Sequence, residues 1–191
     1  MKKFSKMKSG DKLRAPKEKV IYTNDKNLKV IEFEDWHIIK ERDCVCCIPY
    51  LIESNQIVLR YEYIPTFKYA TGQEYHVTLV AGGIENGEAP NMALLRELEE
   101  EAGIVLREDY ALDAMKPLFM SKGSVNKFYP YILPLSERDF TEKIATGDGS
   151  KAEKLSKSVR VDIKYIDSIN ASDLITDYML MKLKEYMNLN M

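Results

Sequence analysis

The sequence is poor in the residues that build metal clusters and in the apolar runs that cross membranes. It holds two histidines and three cysteines in 191 residues. The cysteines sit together in "DCVCCIPY" as Cys44, Cys46 and Cys47. No second Cys/His cluster is present to complete a tetrahedral zinc site, so a structural zinc is excluded. Strand alternation puts Cys44 and Cys46 on one face and Cys47 on the other, and their reading is as small core hydrophobes. No apolar run nears the roughly 20 residues that span a bilayer. A formal net charge of −2 gives no bulk electrostatic reason to expect a membrane or nucleic acid as partner. The opening "MKKFSKMKSGDKLRAPKEK" is basic, but no apolar stretch follows it as in a secretory signal, and a cytoplasmic protein is expected. Internal repeats and low-complexity segments are also missing.

What is there suits one domain with a substantial core. Residues 1–18 read as a basic, solvated arm, and residues 19–191 as the domain. "KVIYTN" and "LKVIEFED" flank a polar turn, predicting a β-hairpin over 19–34 that "WHIIKE" extends. "DCVCCIPYLI" and "IVLRYEYIP" predict a second hairpin across "ESNQ". "YHVTLVA" is a further strand that runs into a turn at Gly82 and Gly83. A short helix follows, with Pro90 in its first turn and Gly103 at its end. "KPLFM", "FYPYILPL" and "SVRVDIKYI" read as strands, and "TGDGSKAEKLSKS" as a polar loop. The last segment is a helix capped by Ser172 or Asp173, with an apolar stripe of Leu174, Met179, Leu180 and Leu183. This order predicts an α+β fold with a mixed sheet flanked by helices.

The chemistry concentrates in "AGGIENGEAPNMALLRELEEEAGIV". At helical spacing Glu97, Glu100 and Glu101 share a face, with Glu99 outside it and Leu94, Leu95 and Leu98 packing below. Three carboxylates on one patch raise each other's pKa and cost stability unless a cation neutralises them. Hard oxygen ligands select Mg²⁺, with Mn²⁺ as substitute. Glycines at 82, 83 and 87 let the backbone approach closely and offer a carbonyl to such an ion. Arg96 is suited to hold carboxylates bidentately. A charged helix surface is the alternative, and spacing decides against it. Gly82, five residues, Glu88, seven residues, then Arg96-Glu97-Leu98-x-Glu100-Glu101-x-Gly103-Ile104 meets every position of one pattern. A chance match in such a chain is about one in ten million from average residue frequencies.

This segment resembles the Nudix box of the MutT-like pyrophosphohydrolases. The resemblance implies an α/β/α sandwich in which a strand–loop–helix–loop unit holds divalent cations, and hydrolysis of a nucleoside diphosphate linked to another moiety. It implies Glu97 and Glu101 as metal ligands, Glu100 as ligand or supporting partner, and a backbone carbonyl of Ala81 or Gly82. Glu88 and Arg96 would brace the loop and helix. The flanking "DCVCCIPYLIESNQIVLRYEYIP" and "YHVTLVAGGIENGE" are similar to ADP-ribose and nucleotide-sugar pyrophosphatases, whose N-terminal β element forms homodimers. The expected products are a nucleoside monophosphate and a sugar phosphate. Nucleoside triphosphates, dinucleoside polyphosphates or capped RNA are alternative substrates, and a nucleotide- or RNA-binding module without catalysis is the alternative of another class.

The chain also departs from that subfamily. Glu62 replaces its strand arginine, and Val80-Ala81-Gly82 replaces "PAG". Lys127 stands where a loop glutamate is usual, which leaves Asp148 or Glu153 as the candidate base. Arg60, Glu62 and His76 are candidate substrate contacts.

Overall fold

A computed structural model describes residues 18–24, 28–147, 149–171 and 173–190. The basic arm falls outside the described residues except for Glu18, as do Asp148 and Ser172.

The N-terminal element is a three-stranded antiparallel meander, the expected hairpin extended by the strand of "WHIIK". It comprises β1 (Glu18–Thr23), β2 (Lys29–Phe33) and β3 (Trp36–Lys40). It docks through β3, where Ile39 N–H donates to the Gly123 carbonyl at 2.7 Å and the Ile39 carbonyl accepts from Val125 N–H at 3.1 Å.

The main sheet grows around β4 (Cys44–Leu51) and β5 (Gln56–Tyr63). These two pair only at their hairpin end, Tyr50 with Ile57 and Leu51 with Gln56, and then diverge. The wedge between them is filled by a strand that changes partner at Leu79. Its first half, β6 (Tyr75–Thr78), pairs with β5, and its second half, β7 (Val80–Gly83), pairs with β4. The single strand expected from "YHVTLVA" is thus two, and Gly82 and Gly83 lie in β7 rather than in a turn. Between β5 and β6 the segment "PTFKYAT" forms a helix, α1 (Pro65–Thr71).

Downstream, β8 (Ile104–Leu106) pairs with β11 (Phe140–Glu142) in a small separate ribbon. The main sheet gains β9 (Leu118–Phe119), β10 (Lys127–Leu135) and β12 (Lys157–Asp162). Its order is β12-β5-β4-β10-β9, and β10 runs parallel to β4 while the other pairs are antiparallel, which makes the sheet mixed.

Helices cover both faces. On one, α2 (Pro90–Glu97) and the turn after it bury Ala93, Leu94 and Leu98 against Val45, Cys47, Val58 and Val80. On the other, α4 (Leu174–Asn190) buries Met179, Leu180 and Leu183 against Cys46, Ile48, Ile57 and Leu59. Alternation along β4 therefore sends Cys46 to one layer and Cys47 to the other, and both thiols are pushed well up by burial. Cys44 is half-buried on the Cys46 side. Leu174 is 79% exposed and drops out of the expected stripe. The Asp173 carboxylate caps α4 by accepting from Thr176 N–H at 2.8 Å.

Candidate active site

The site forms where α2 meets β7. Pro90 occupies the first turn of α2, and Arg96 and Glu97 end it. Here the helix does not continue as α: Leu98–Ala102 form a π turn, which stops at Gly103 with φ 65°. A π turn places more residues in each revolution, and such turns recur at functional sites. Its effect is to bury Glu97 and Glu101 together at 8% and 7% exposure, while Glu100 stays half-buried at the rim. Glu99 points outward and pairs with Lys143 at the surface.

Glu101 reaches back to β7 and accepts the Ala81 N–H at 2.9 Å. Glu97 lies against Gly82 so closely that a Cβ there would fall inside its carboxylate. Glycine at this position leaves the room that the Glu97 carboxylate occupies. Arg96 organises the rest. Its Nε and Nη2 grip the two oxygens of Glu88 at 3.1 and 3.2 Å, and Nη2 also donates to the Gly83 carbonyl at 2.9 Å. Its Nη1 donates to Glu97 at 2.5 Å and to Glu100 at 3.2 Å. Glu88 in turn accepts the Glu85 N–H at 2.8 Å, tying the loop to the helix.

The electrostatics follow from this crowding. Burial pushes the Glu101 carboxyl up to about 8, helped by Glu153 and Glu97, against the pull of Arg60 and the Ala81 N–H. Burial also raises Glu97, against the pull of Arg96. Glu88 is held below the usual carboxylate range by its hydrogen bonds from Arg96, and Arg96 is raised by the same contact. Removing water favours the neutral acid, and neighbouring anions add to that.

These groups open onto a cleft of about 480 Å³, lined among others by Arg42, Glu62, Gly82, Glu97, Glu101 and Glu153. Glu62 lies in its wall with its carboxylate accepting the Thr78 hydroxyl at 2.7 Å. Glu153 is brought in by α3 (Lys151–Leu155), a helix in a segment that composition marks as loop. The signal for it was present: Ser150-x-x-Glu153 is a capping-box pattern, and the Ser150 hydroxyl accepts the Glu153 N–H at 3.1 Å. Arg42 is an exposed cleft residue that no motif or spacing marks.

Other expected residues lie elsewhere. His76 does not line the cleft: it is buried at 4% exposure, its ring edge-on to Phe67 at 4.6 Å and its Nε2 3.3 Å from the Gln73 carbonyl. Arg60 is buried behind Glu101 and Glu153. Lys127 lies over the Phe119 ring, 5.5 Å from its centroid, away from the cleft wall.

Whether a hard cation suits these residues is a question of donor chemistry and of charge. The donors are carboxylate oxygens, the type that Mg²⁺ and Mn²⁺ take. Two of the carboxylates, Glu97 and Glu101, are held above their usual range by burial, with Glu153 adding to both. Both observations fit a divalent ion. The side chains share a cleft but not a single point: among the described residues, no three His, Cys, Asp or Glu groups stand as an assembled ion site. Arg96 holds Glu97 and Glu100 meanwhile.

Comparison with known proteins agrees with this geometry. A family model described as NUDIX domain matches residues 41–161, more than half of the chain. A solved structure described as that of an ADP compounds hydrolase superposes with a TM-score of 0.64 at 16% identity, covering 93% of this chain and 97% of the other. At that identity the likeness is one of fold. No curated protein matches the sequence.

Proposed function

The chain belongs to the Nudix family of pyrophosphohydrolases, and on that premise we propose that it cleaves a nucleoside diphosphate linked to a sugar, ADP-ribose foremost, with Mg²⁺ as cofactor. The observation that carries the reading is the buried carboxylate pair, Glu97 and Glu101, facing a cleft beside a glycine strand. Such a cluster is costly in a protein that does not use it. The overall likeness to an ADP compounds hydrolase supports the substrate class.

In this reading Glu97, Glu101 and Glu100 would hold the cation, with a carbonyl of Ala81 or Gly82. Bound there, it supplies charge neutralisation at the phosphate oxygens and acidifies water. The residues of the chain do the positioning. Arg96, braced by Glu88 and the Gly83 carbonyl, fixes the orientation of Glu97 and Glu100. The Ala81 N–H fixes one oxygen of Glu101. Glu153 takes the proton from the attacking water, the role left open by Lys127. Arg42 meets a substrate phosphate, and Glu62 accepts from a sugar or base hydroxyl or amine.

The chain also pairs with a second copy through its N-terminal meander, whose Val20, Tyr22 and Trp36 are 48%, 53% and 61% exposed. No helix among the described residues is long and apolar enough to cross a membrane.

The test is hydrolysis of ADP-ribose, UDP- and GDP-sugars, dinucleoside polyphosphates and nucleoside triphosphates with Mg²⁺ or Mn²⁺, products separated by chromatography. A nucleoside monophosphate plus a sugar phosphate from one sugar nucleotide is the expected result. Absence of turnover on the whole panel, with nucleotide binding retained, would overturn it.

A further inference from the structure

Arg60 has the composition of an anion contact and the location of something else. It sits on β5 at 2% exposure. Its Nη1 donates to the backbone carbonyl of Glu101 at 3.1 Å. Its Nη2 forms the ion pair with the Glu153 carboxylate and lies 3.5 Å from Oε1 of Glu101. Its Nε, also buried, has no hydrogen-bond partner among the described residues. With both Nη groups turned to Glu101 and Glu153, Arg60 does not line the cleft that those acids face. The unpaired Nε is a cost the fold carries to keep the two Nη groups where they are.

The surroundings converge on the same two acids. β12 pairs Ser158 with Arg60 in register, and the Ser158 hydroxyl donates at 2.6 Å to the Glu101 carbonyl that Arg60 also binds. On the Glu153 side, α3 is tied to β5 by Tyr63 N–H donating to the Ser156 hydroxyl at 3.1 Å. Gly147, at φ 63°, packs where any Cβ would strike the Glu153 side chain, and its N–H donates to the Glu100 carbonyl at 2.9 Å. The segment after β11 is thereby fastened to the π turn at several points, with Arg60 the buried charged tie and Lys143–Glu99 an exposed one.

We propose that Arg60 is a positioning residue that locks Glu153 on α3 beside Glu101 and so sets the separation of the two carboxylates across the cleft. The proposal rests on the hydrolase reading for its catalytic consequence, but not for its structural one. The guanidinium fork reaches the Glu101 carbonyl and the Glu153 carboxylate from two nitrogens at a fixed spacing, a geometry that the single nitrogen of a lysine reproduces only in part.

The test is a double-mutant cycle of Arg60→Met and Glu153→Gln, with Arg60→Lys as the variant that keeps the charge, read by steady-state kinetics and by amide hydrogen exchange. Expected is a kcat loss of about 100-fold for Arg60→Met with KM within about threefold, and little further loss once Glu153→Gln is present. Arg60→Lys recovers only part of the loss. Faster exchange in residues 149–156, with 90–97 unchanged, is expected in both Arg60 variants. Additive losses, a loss carried by KM, or full rescue by lysine would overturn the proposal. Should the wild type hydrolyse nothing, the hydrolase reading fails alone, and the exchange experiment still decides the role of Arg60: unchanged exchange in 149–156 overturns it.

Discussion

The two faces of the main sheet are covered by helices of similar apolar character and opposite purpose. Beneath α4 the buried groups are almost all hydrocarbon: Met179, Leu180 and Leu183 against Ile48, Ile57 and Leu59. Beneath α2 a comparable patch of Ala93, Leu94 and Leu98 is interleaved with the buried acids Glu97 and Glu101. One layer is optimised for burial, which contributes about 1.5–3 kcal/mol per large side chain. The other gives up part of that stabilisation to hold carboxylates out of water. The lesson is that a functional site shows here as a local departure from good packing on an otherwise symmetric sandwich.

Substitutions on the two faces should therefore separate activity from stability. The largest effect is expected for Glu101→Gln, which keeps shape and removes the buried anion: pyrophosphate hydrolysis should fall by about 10³-fold, about 4 kcal/mol in transition-state terms. Retention of a tenth of the wild-type rate would remove Glu101 from the proposed ligand set. Gly82→Ala comes next. The added methyl displaces the flexible end of Glu97 rather than backbone, so the fold should survive while the rate falls by about 100-fold, as for a misplacement near 1 Å. An unchanged rate with unchanged melting would show that Glu97 needs no such placement.

On the other face, Leu183→Ala opens a cavity under α4 and should cost about 2–5 kcal/mol in urea unfolding. The kcat of the molecules that remain folded should be that of wild type. A loss of kcat there would join the two faces functionally and break the contrast.

The smallest effect is in pH. The Glu101 carboxyl is raised in the folded chain to about 8 from the ordinary 4.5. An acid raised on folding contributes stability that is fully present below the unfolded value and is lost as pH rises through the folded one. In a chelator, melting temperature should decline from this group between about pH 4.5 and 8, and Glu101→Gln should flatten that decline. Added Mg²⁺ should stabilise the wild type more at pH 8 than at pH 5.5, because the proton and the cation compete for the same oxygens. Equal stabilisation at both pH values would place the cation elsewhere.

Much of this was legible in the order of residues. Strand alternation in "CVCCI" foretold which cysteine faces which layer, because side chains on a strand alternate strictly. Helical spacing put Glu97, Glu100 and Glu101 on one face, and the resemblance carried by the box implied Glu88 beside Arg96, where the two side chains are in contact. Glu153 was legible in part, through the capping box at Ser150, but composition alone makes that segment a loop. His76 and Arg60 were read by residue type, and type says nothing of what lies behind a strand. The split of "YHVTLVA" into β6 and β7 depends on the divergence of β4 from β5, which no local pattern encodes.

What the sequence by itself determined is the set of acids, the glycines that admit them and the brace of Arg96, because these lie within about twenty residues and are governed by helical and turn geometry. What only the tertiary structure decided is the other wall of the cleft. Arg42 comes from the link between β3 and β4, Glu62 from β5 and Glu153 from the distant α3, with Arg60 of β5 buried behind Glu153, and their meeting depends on strand order and burial. The burial that pushes Glu101 up belongs there too, for a carboxylate is perturbed by what surrounds it in space and not by its neighbours in the chain.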